Sequence, residues 1–177
     1  MDRVPATWAK RAWPSLMSLG NWVKNFLDRL TQLEEWMNNP SEMPKVVWLP
    51  GLSSPQSFLT AICQVTAQRN QWELAEEVDS PPRDGAYIYG LSLQGASFDV
   101  ESSQIVKSKP KEMFSQMPVI HVRAITKERA NVGGIFHCPV YKCCDRGPTW
   151  YFNAQLKTHS PPARWTLAGV ALIGETA

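Results

Sequence analysis

Apolar residues recur at alternating spacings of three and four through Leu16, Leu19, Val23, Phe26, Leu30, Leu33 and Met37. That rhythm predicts a helix of about six turns with one continuous apolar stripe. Asn38-Asn39-Pro40 ends it, because the residue before a proline leaves the helical region and proline has no N–H to donate. Trp22, Arg29 and Trp36 line up seven apart along one border of the stripe. Either they widen the buried face, or they form a docking edge, since Trp and Arg are common interface anchors. Val46-Val47-Trp48-Leu49, between Pro44 and Pro50, reads as a short extended segment. Ser54-Pro55 then opens a second helix as cap and first-turn proline. It is expected to run to Gln68, with Phe58, Leu59, Ile62, Val65 and Thr66 on its inner side and Cys63 packed as a small hydrophobe.

The pattern changes across Ser80-Pro81-Pro82-Arg83-Asp84-Gly85. The prolines stop any arriving helix, and Gly85 can take positive φ in a sharp turn. Ala86 to Leu93 is rich in β-formers, with Tyr87, Tyr89, Leu91 and Leu93 on one expected face. Beyond it, Gln104–Lys107, Val119–Ile125, Phe136–Lys142, Thr149–Leu156 and Trp165–Ile173 read as strands, with Lys109–Met117 a crossover. Short strands punctuated by Gly and Pro argue for an antiparallel sheet curling into a small barrel. The expected class is α+β: a helical subdomain over 1–79 and a β-barrel subdomain over 80–177.

Composition narrows the picture. The chain has 177 residues, 44% hydrophobic and 19% charged, a globular balance. A net charge of +2 is too small for a nucleic-acid or membrane footprint. No apolar run reaches the ~20 residues of a membrane span. Asp2, Arg3, Lys10 and Arg11 interrupt any signal-peptide core. Eight tryptophans call for an extensive core, a contact surface or both. Four cysteines, two of them adjacent, fit reduced thiols in a cytosolic compartment better than a disulfide framework.

Little in the sequence points to catalysis. His137, Cys138, Cys143 and Cys144 lack the paired spacing of structural zinc. No glycine-rich loop with Lys-Ser/Thr is present, and Gly133-Gly134 and Arg146-Gly147-Pro148 read as turns. His121 reads as a packed or edge histidine and His159 as part of a strand connection. No nucleophile elbow appears. Lys107, Lys109 and Lys111 read as a solvated crossover rather than a nucleic-acid stripe. From the residues, this is a module without catalytic, cofactor or metal sites. A stand-alone ligand- or nucleic-acid-binding barrel and a small enzyme are the rival readings; an aromatic-lined basic face or a polar pocket would mark them.

Several word-like stretches occur in a recognisable order. They are Trp48-Leu49-Pro50-Gly51, Pro55-Gln56-Ser57-Phe58-Leu59-Thr60-Ala61, Ser80-Pro81-Pro82-Arg83-Asp84-Gly85-Ala86-Tyr87-Ile88-Tyr89-Gly90-Leu91 and Gln94-Gly95-Ala96. Met117-Pro118-Val119-Ile120, Cys138-Pro139-Val140-Tyr141-Lys142, Arg146-Gly147-Pro148-Thr149 and Trp165-Thr166-Leu167-Ala168-Gly169-Val170-Ala171-Leu172 follow. Together they resemble the C-terminal region of dynein heavy chains, in wording most like the axonemal, outer-arm class. The resemblance covers nearly the whole sequence. It implies helices followed by an incomplete antiparallel β-barrel that lies on the AAA+ ring of its own heavy chain and modulates motor output. It implies a place in the cytoplasm and cytoskeleton, in the axoneme of a cilium or flagellum. Microtubules would be met only through the full-length motor, whose ATP sites lie upstream; no nucleic acid or membrane partner is implied. The sequence departs from the pattern in its short connector, Ala75 to Asp79, and at Leu52-Ser53-Ser54, where relatives often carry aromatic residues.

Overall fold

The computed structural model describes residues 5–10, 17–42, 44–69, 85–122, 134–143, 146–147 and 149–175. They fall into two compact units, one ending at Pro44 and the other beginning at Lys45. The expected boundary between residues 79 and 80 lies outside the described residues, as do the connector 75–79 and most of the junction motif.

The first unit holds α1 (Ala6–Ala9) and α2 (Leu19–Asn38). Ser18 caps α2, its hydroxyl accepting from the Asn21 N–H at 3.5 Å, which satisfies one of the unpaired donors of the first turn. At the far end the Asn39 N–H donates to the Trp36 carbonyl at 3.3 Å, and Pro40 follows. The helix therefore matches the expected one, starting at Leu19. Its orientation differs from the expectation. Trp22 is buried, stacking on Phe26 with ring centroids 5.7 Å apart and lying 6.0 Å from the Trp8 ring of α1. Val23, Phe26, Leu30, Leu33 and Met37 of the apolar stripe are exposed.

The second unit begins with β1 (Val46–Trp48), a 3-10 turn at Leu49–Gly51 and α3 (Pro55–Arg69). Phe58, Ile62 and Thr66 of α3 are buried, with Leu59 and Val65 half-buried beside them. Cys63 is exposed, against the expectation, because it falls past the edge of that inward arc.

The β region departs from the expected strands in several places. Ala86–Leu93 is not one strand but two: β2 (Ala86–Tyr89) and β3 (Ser92–Gln94), which belong to different sheets. Gly90 makes the break at φ +87, where a Cβ would run into the Trp48 indole. The shared face is lost with it: Tyr87 and Tyr89 are exposed, whereas Leu91 and Leu93 are buried. Gly85 does take positive φ, at +136. Next come β4 (Ser97–Asp99) and β5 (Gln104–Val106), an antiparallel pair. Its turn is held by the Ser102 hydroxyl and N–H, which donate to Asp99 and keep that carboxyl below its usual range.

The expected crossover Lys109–Met117 contains β6 (Phe114–Gln116), whose Ser115 hydroxyl meets that of Ser97 at 3.0 Å. After β7 (Ile120–Val122), β8 (Ile135–Cys143) and β9 (Trp150–Lys157) form a long hairpin with an irregularity at Val140/Tyr141. Residues 123–125 of the expected Val119–Ile125 strand lie outside the described residues.

The predicted strand Trp165–Ile173 is instead α4 (Pro162–Leu167) followed by β10 (Ala171–Glu175). Pro162 suits the first helical position. Gly169, at φ +65, ends the helix with a double bond pattern: its own N–H reaches the Thr166 carbonyl and the Val170 N–H reaches that of Trp165. The buried Trp165 indole donates to the Thr158 hydroxyl at 2.7 Å.

Among the described residues the strands form three sheets, in the orders β1-β2-β7, β6-β3-β10-β8-β9 and β4-β5. Most pairs are antiparallel, but β1 runs parallel to β2 and β10 parallel to β8. The class is α+β, and the sheets stay open, without barrel closure among the described residues. The core lies along β10, where Ala171, Leu172 and Ile173 are fully buried beside Leu93, Cys138 and Val140.

Candidate docking surface

The three residues singled out on α2 sit on its inward border. Trp22 is 6% exposed. Arg29 is half-buried, its Nε donating to the Asn25 side-chain oxygen at 2.9 Å one turn back, and Trp36 is half-buried two turns on. Asn25 and Gln32 share this border, also half-buried. The helix thus turns inward on the flank built by Trp22, Asn25, Arg29, Gln32 and Trp36. The centre of its apolar stripe faces outward, through Val23, Leu30, Leu33 and Met37, with Leu27 beside them. Large aromatic surface explains the preference: Trp22 buries more area than any aliphatic residue on the helix can. Sequence reasoning found the apolar stripe but read it as the buried side. The signal for the reversal is Trp8, an aromatic partner for Trp22 within reach of α1.

The second unit offers a smaller exposed face. Tyr87 and Tyr89 point outward from β2, Val46 stands beside Tyr87 on β1, and His121 lies opposite on the edge strand β7. The Tyr87 and His121 rings approach to 4.7 Å between centroids.

The other candidate chemistry does not converge. His137 and Cys138 are neighbours on β8 and therefore point to opposite faces, His137 outward and Cys138 into the core. Burial pushes the Cys138 thiol up to about 12, so it stays protonated and a poor ligand or nucleophile. Cys143 is half-buried on the same strand, and Cys144 lies outside the described residues. Among the described residues no group of three or more His, Cys, Asp and Glu comes together to hold a metal ion. No described helix is long and apolar enough to cross a membrane. His159 Nε2 meets Gln104 Nε2 at 2.8 Å, which ties the β9–α4 connection to β5. Arg146 is a staple: its Nη2 donates to Gln94 Oε1 at 2.7 Å and to the Gly169 carbonyl at 2.8 Å. It joins the turn after β8 to the end of β3 and the end of α4.

Fold and surface together define the class: an α+β domain whose long helix presents an apolar row to its surroundings. Residues 1–174 match the family described as the C-terminal domain of the dynein heavy chain, and the protein belongs to that family. It is similar to the ciliary dynein beta chain of Tripneustes gratilla, at 42% identity over 186 residues and 98% of its own length. Dynein axonemal heavy chain 9 of Homo sapiens is 43% identical over 97% of that length, and the flagellar outer-arm dynein beta chain of Chlamydomonas reinhardtii 44% over 97%. The protein spans 4% of the length of each of these relatives. Each alignment is longer than the 177 residues present here, so these relatives carry residues that this sequence lacks.

Proposed function

We propose that this protein is the non-catalytic regulatory C-terminal domain of an axonemal dynein heavy chain. It packs on the AAA+ ring of its own heavy chain and modulates microtubule-based motility in a cilium or flagellum. Microtubules are met only through the full-length motor, and the domain uses no cofactor of its own. The observation that carries this reading is similarity along nearly the whole sequence to ciliary and flagellar heavy chains of which it spans only 4%. The outward apolar side of α2 supports it, since Val23, Leu27, Leu30, Leu33 and Met37 are all exposed along one side of a single helix. Trp22, Arg29 and Trp36 form the edge of the docking surface, with Trp22 backing it from within and Arg29 and Trp36 at its rim. The test is a full-length heavy chain lacking this domain, compared with the intact motor in microtubule gliding under load. Velocity or stall force should change while basal ATP turnover stays near normal. Unchanged mechanics would overturn the reading.

A further inference from the structure

We infer that the loop between β5 and β6, residues 107–113, is a docking site for an acidic peptide, a run of Asp and Glu side chains on a second protein. The inference uses another part of the molecule than the proposed packing on the ring. The loop carries Lys107, Lys109 and Lys111 against one acid, Glu112. The whole chain has a net charge of +2, so the loop alone holds an excess equal to it and the rest of the chain is balanced. All three lysines are exposed. Asp99 pairs with Gln104 beside the turn of the β4–β5 hairpin, whereas Ser97 pairs with Val106 beside the loop. The acids of that turn, Asp99 and Glu101, therefore lie at the far end of the hairpin.

The backbone holds the cations in place. The Glu112 N–H donates to the Lys109 carbonyl at 3.1 Å, and the Lys109 N–H donates back to the Glu112 carboxylate at 3.3 Å. This reciprocal pair closes a tight turn and directs the loop's one anion at the main chain. The ring of Pro110 fixes its φ at about −65°, and Lys111 stands at φ +68, the pattern of a type II turn. Glycine fills that position with the least strain, so lysine there runs against local preference. Such an outlier points to use of its side chain.

Size and composition select the partner. From Lys107 to Lys111 the backbone reaches at most about 14 Å, which matches about four residues of an extended peptide. Nucleic acids are held by about 6–10 phosphate contacts or by stacking on aromatic rings. The segment from Lys107 to Lys111 has three cations and no aromatic ring. An anionic membrane calls for clusters of about 4–8 basic residues. A short carboxylate run needs no more than three, and lysine, a point charge on a flexible stem, tolerates variable carboxylate spacing.

Photocrosslinking in the full-length heavy chain tests this. Met113→p-benzoylphenylalanine sets the probe at the end of the loop, where the native side chain is 70% exposed, and leaves the lysines in place. The chain is irradiated with octaglutamate or with octaglutamine. The octaglutamate adduct should exceed the octaglutamine adduct about tenfold and be lost in about 0.5 M salt. Lys107→Gln, Lys109→Gln and Lys111→Gln together should abolish the excess. Arginine at the same three positions should restore it, which loss of the loop's shape would not allow. Equal adducts from the two peptides, an excess that survives the glutamine changes, or no rescue by arginine would each overturn the inference. A stronger adduct with oligothymidylate or with phosphatidylserine vesicles would overturn it as well.

Discussion

Helix α2 and strand β10 are both apolar stretches, yet they sit at opposite extremes of exposure. Leu33 and Met37 of α2 are 53% and 69% exposed, whereas Leu172 and Ile173 of β10 are at 0%. Backbone hydrogen bonding accounts for the difference. A helix satisfies its own N–H and C=O groups, so it can stand with one side uncovered. A strand must find its partners in other strands, and β10 has one on each edge, antiparallel to β3 and parallel to β8. The strand is the centre of a core. The helix offers a surface.

Substitutions should read that contrast directly. Leu172→Ala leaves a cavity in a closed core and should cost about 2–5 kcal/mol, seen as a lower urea midpoint. A change below about 0.5 kcal/mol, the scale of an ordinary surface substitution, would show that the sheet is not the core. Gly90→Val should come next, at about 1–3 kcal/mol for backbone strain. It forces a β-branched residue to positive φ and drives its Cβ into the Trp48 indole. Gly85→Val should cost a similar amount, since Gly85 also has positive φ. An unchanged midpoint for either would mean the turn does not need its glycine.

The Cys138 thiol gives the core a pH signature. In the unfolded state it titrates near the ordinary 9.0, and burial raises it to about 12 in the fold. Below pH 9 both states hold the proton and nothing is lost. Between pH 9 and 12 the unfolded state releases a proton that the folded one keeps, so stability falls as pH rises. Cys138→Ala should flatten the part of that decline due to the thiol, measured as urea midpoints across alkaline pH. Native Cys63, which is exposed, should react with a thiol reagent long before Cys138. Equal rates would place Cys138 near solvent. The smallest effect belongs to α2: Leu30→Ala should change the stability of the separately expressed domain by less than about 0.5 kcal/mol. A loss comparable to Leu172→Ala would put the row inside the domain's own core.

Much of the fold was legible in the sequence where signals are local. Asn38-Asn39-Pro40 ends α2 as expected, Pro55 opens α3, and β5, β8 and β9 fall within a residue of their turn-bounded apolar runs. The rest is decided by a competing local signal or by a distant contact. Gly90 breaks a run that looks continuous, and Pro162 with Gly169 brackets a helix inside an apparent strand. The parallel pairings of β1 with β2 and of β8 with β10 depend on which elements meet across the fold, which periodicity does not encode. The docking surface was half legible. Spacing shows that α2 has an apolar side, but the burial of Trp22 against Trp8 shows which flank is turned inward.

Two methionines allow that last point to be tested within one molecule. Met37 on α2 and Met113 before β6 are almost equally exposed, at 69% and 70%. Hydroxyl-radical or peroxide oxidation of the full-length heavy chain, read by mass spectrometry, compares them under identical conditions. If the outward row of α2 is covered by the rest of the heavy chain, Met37 oxidises much more slowly than Met113. Equal oxidation of the two would contradict the account, because it would leave the row open to water in the assembled motor.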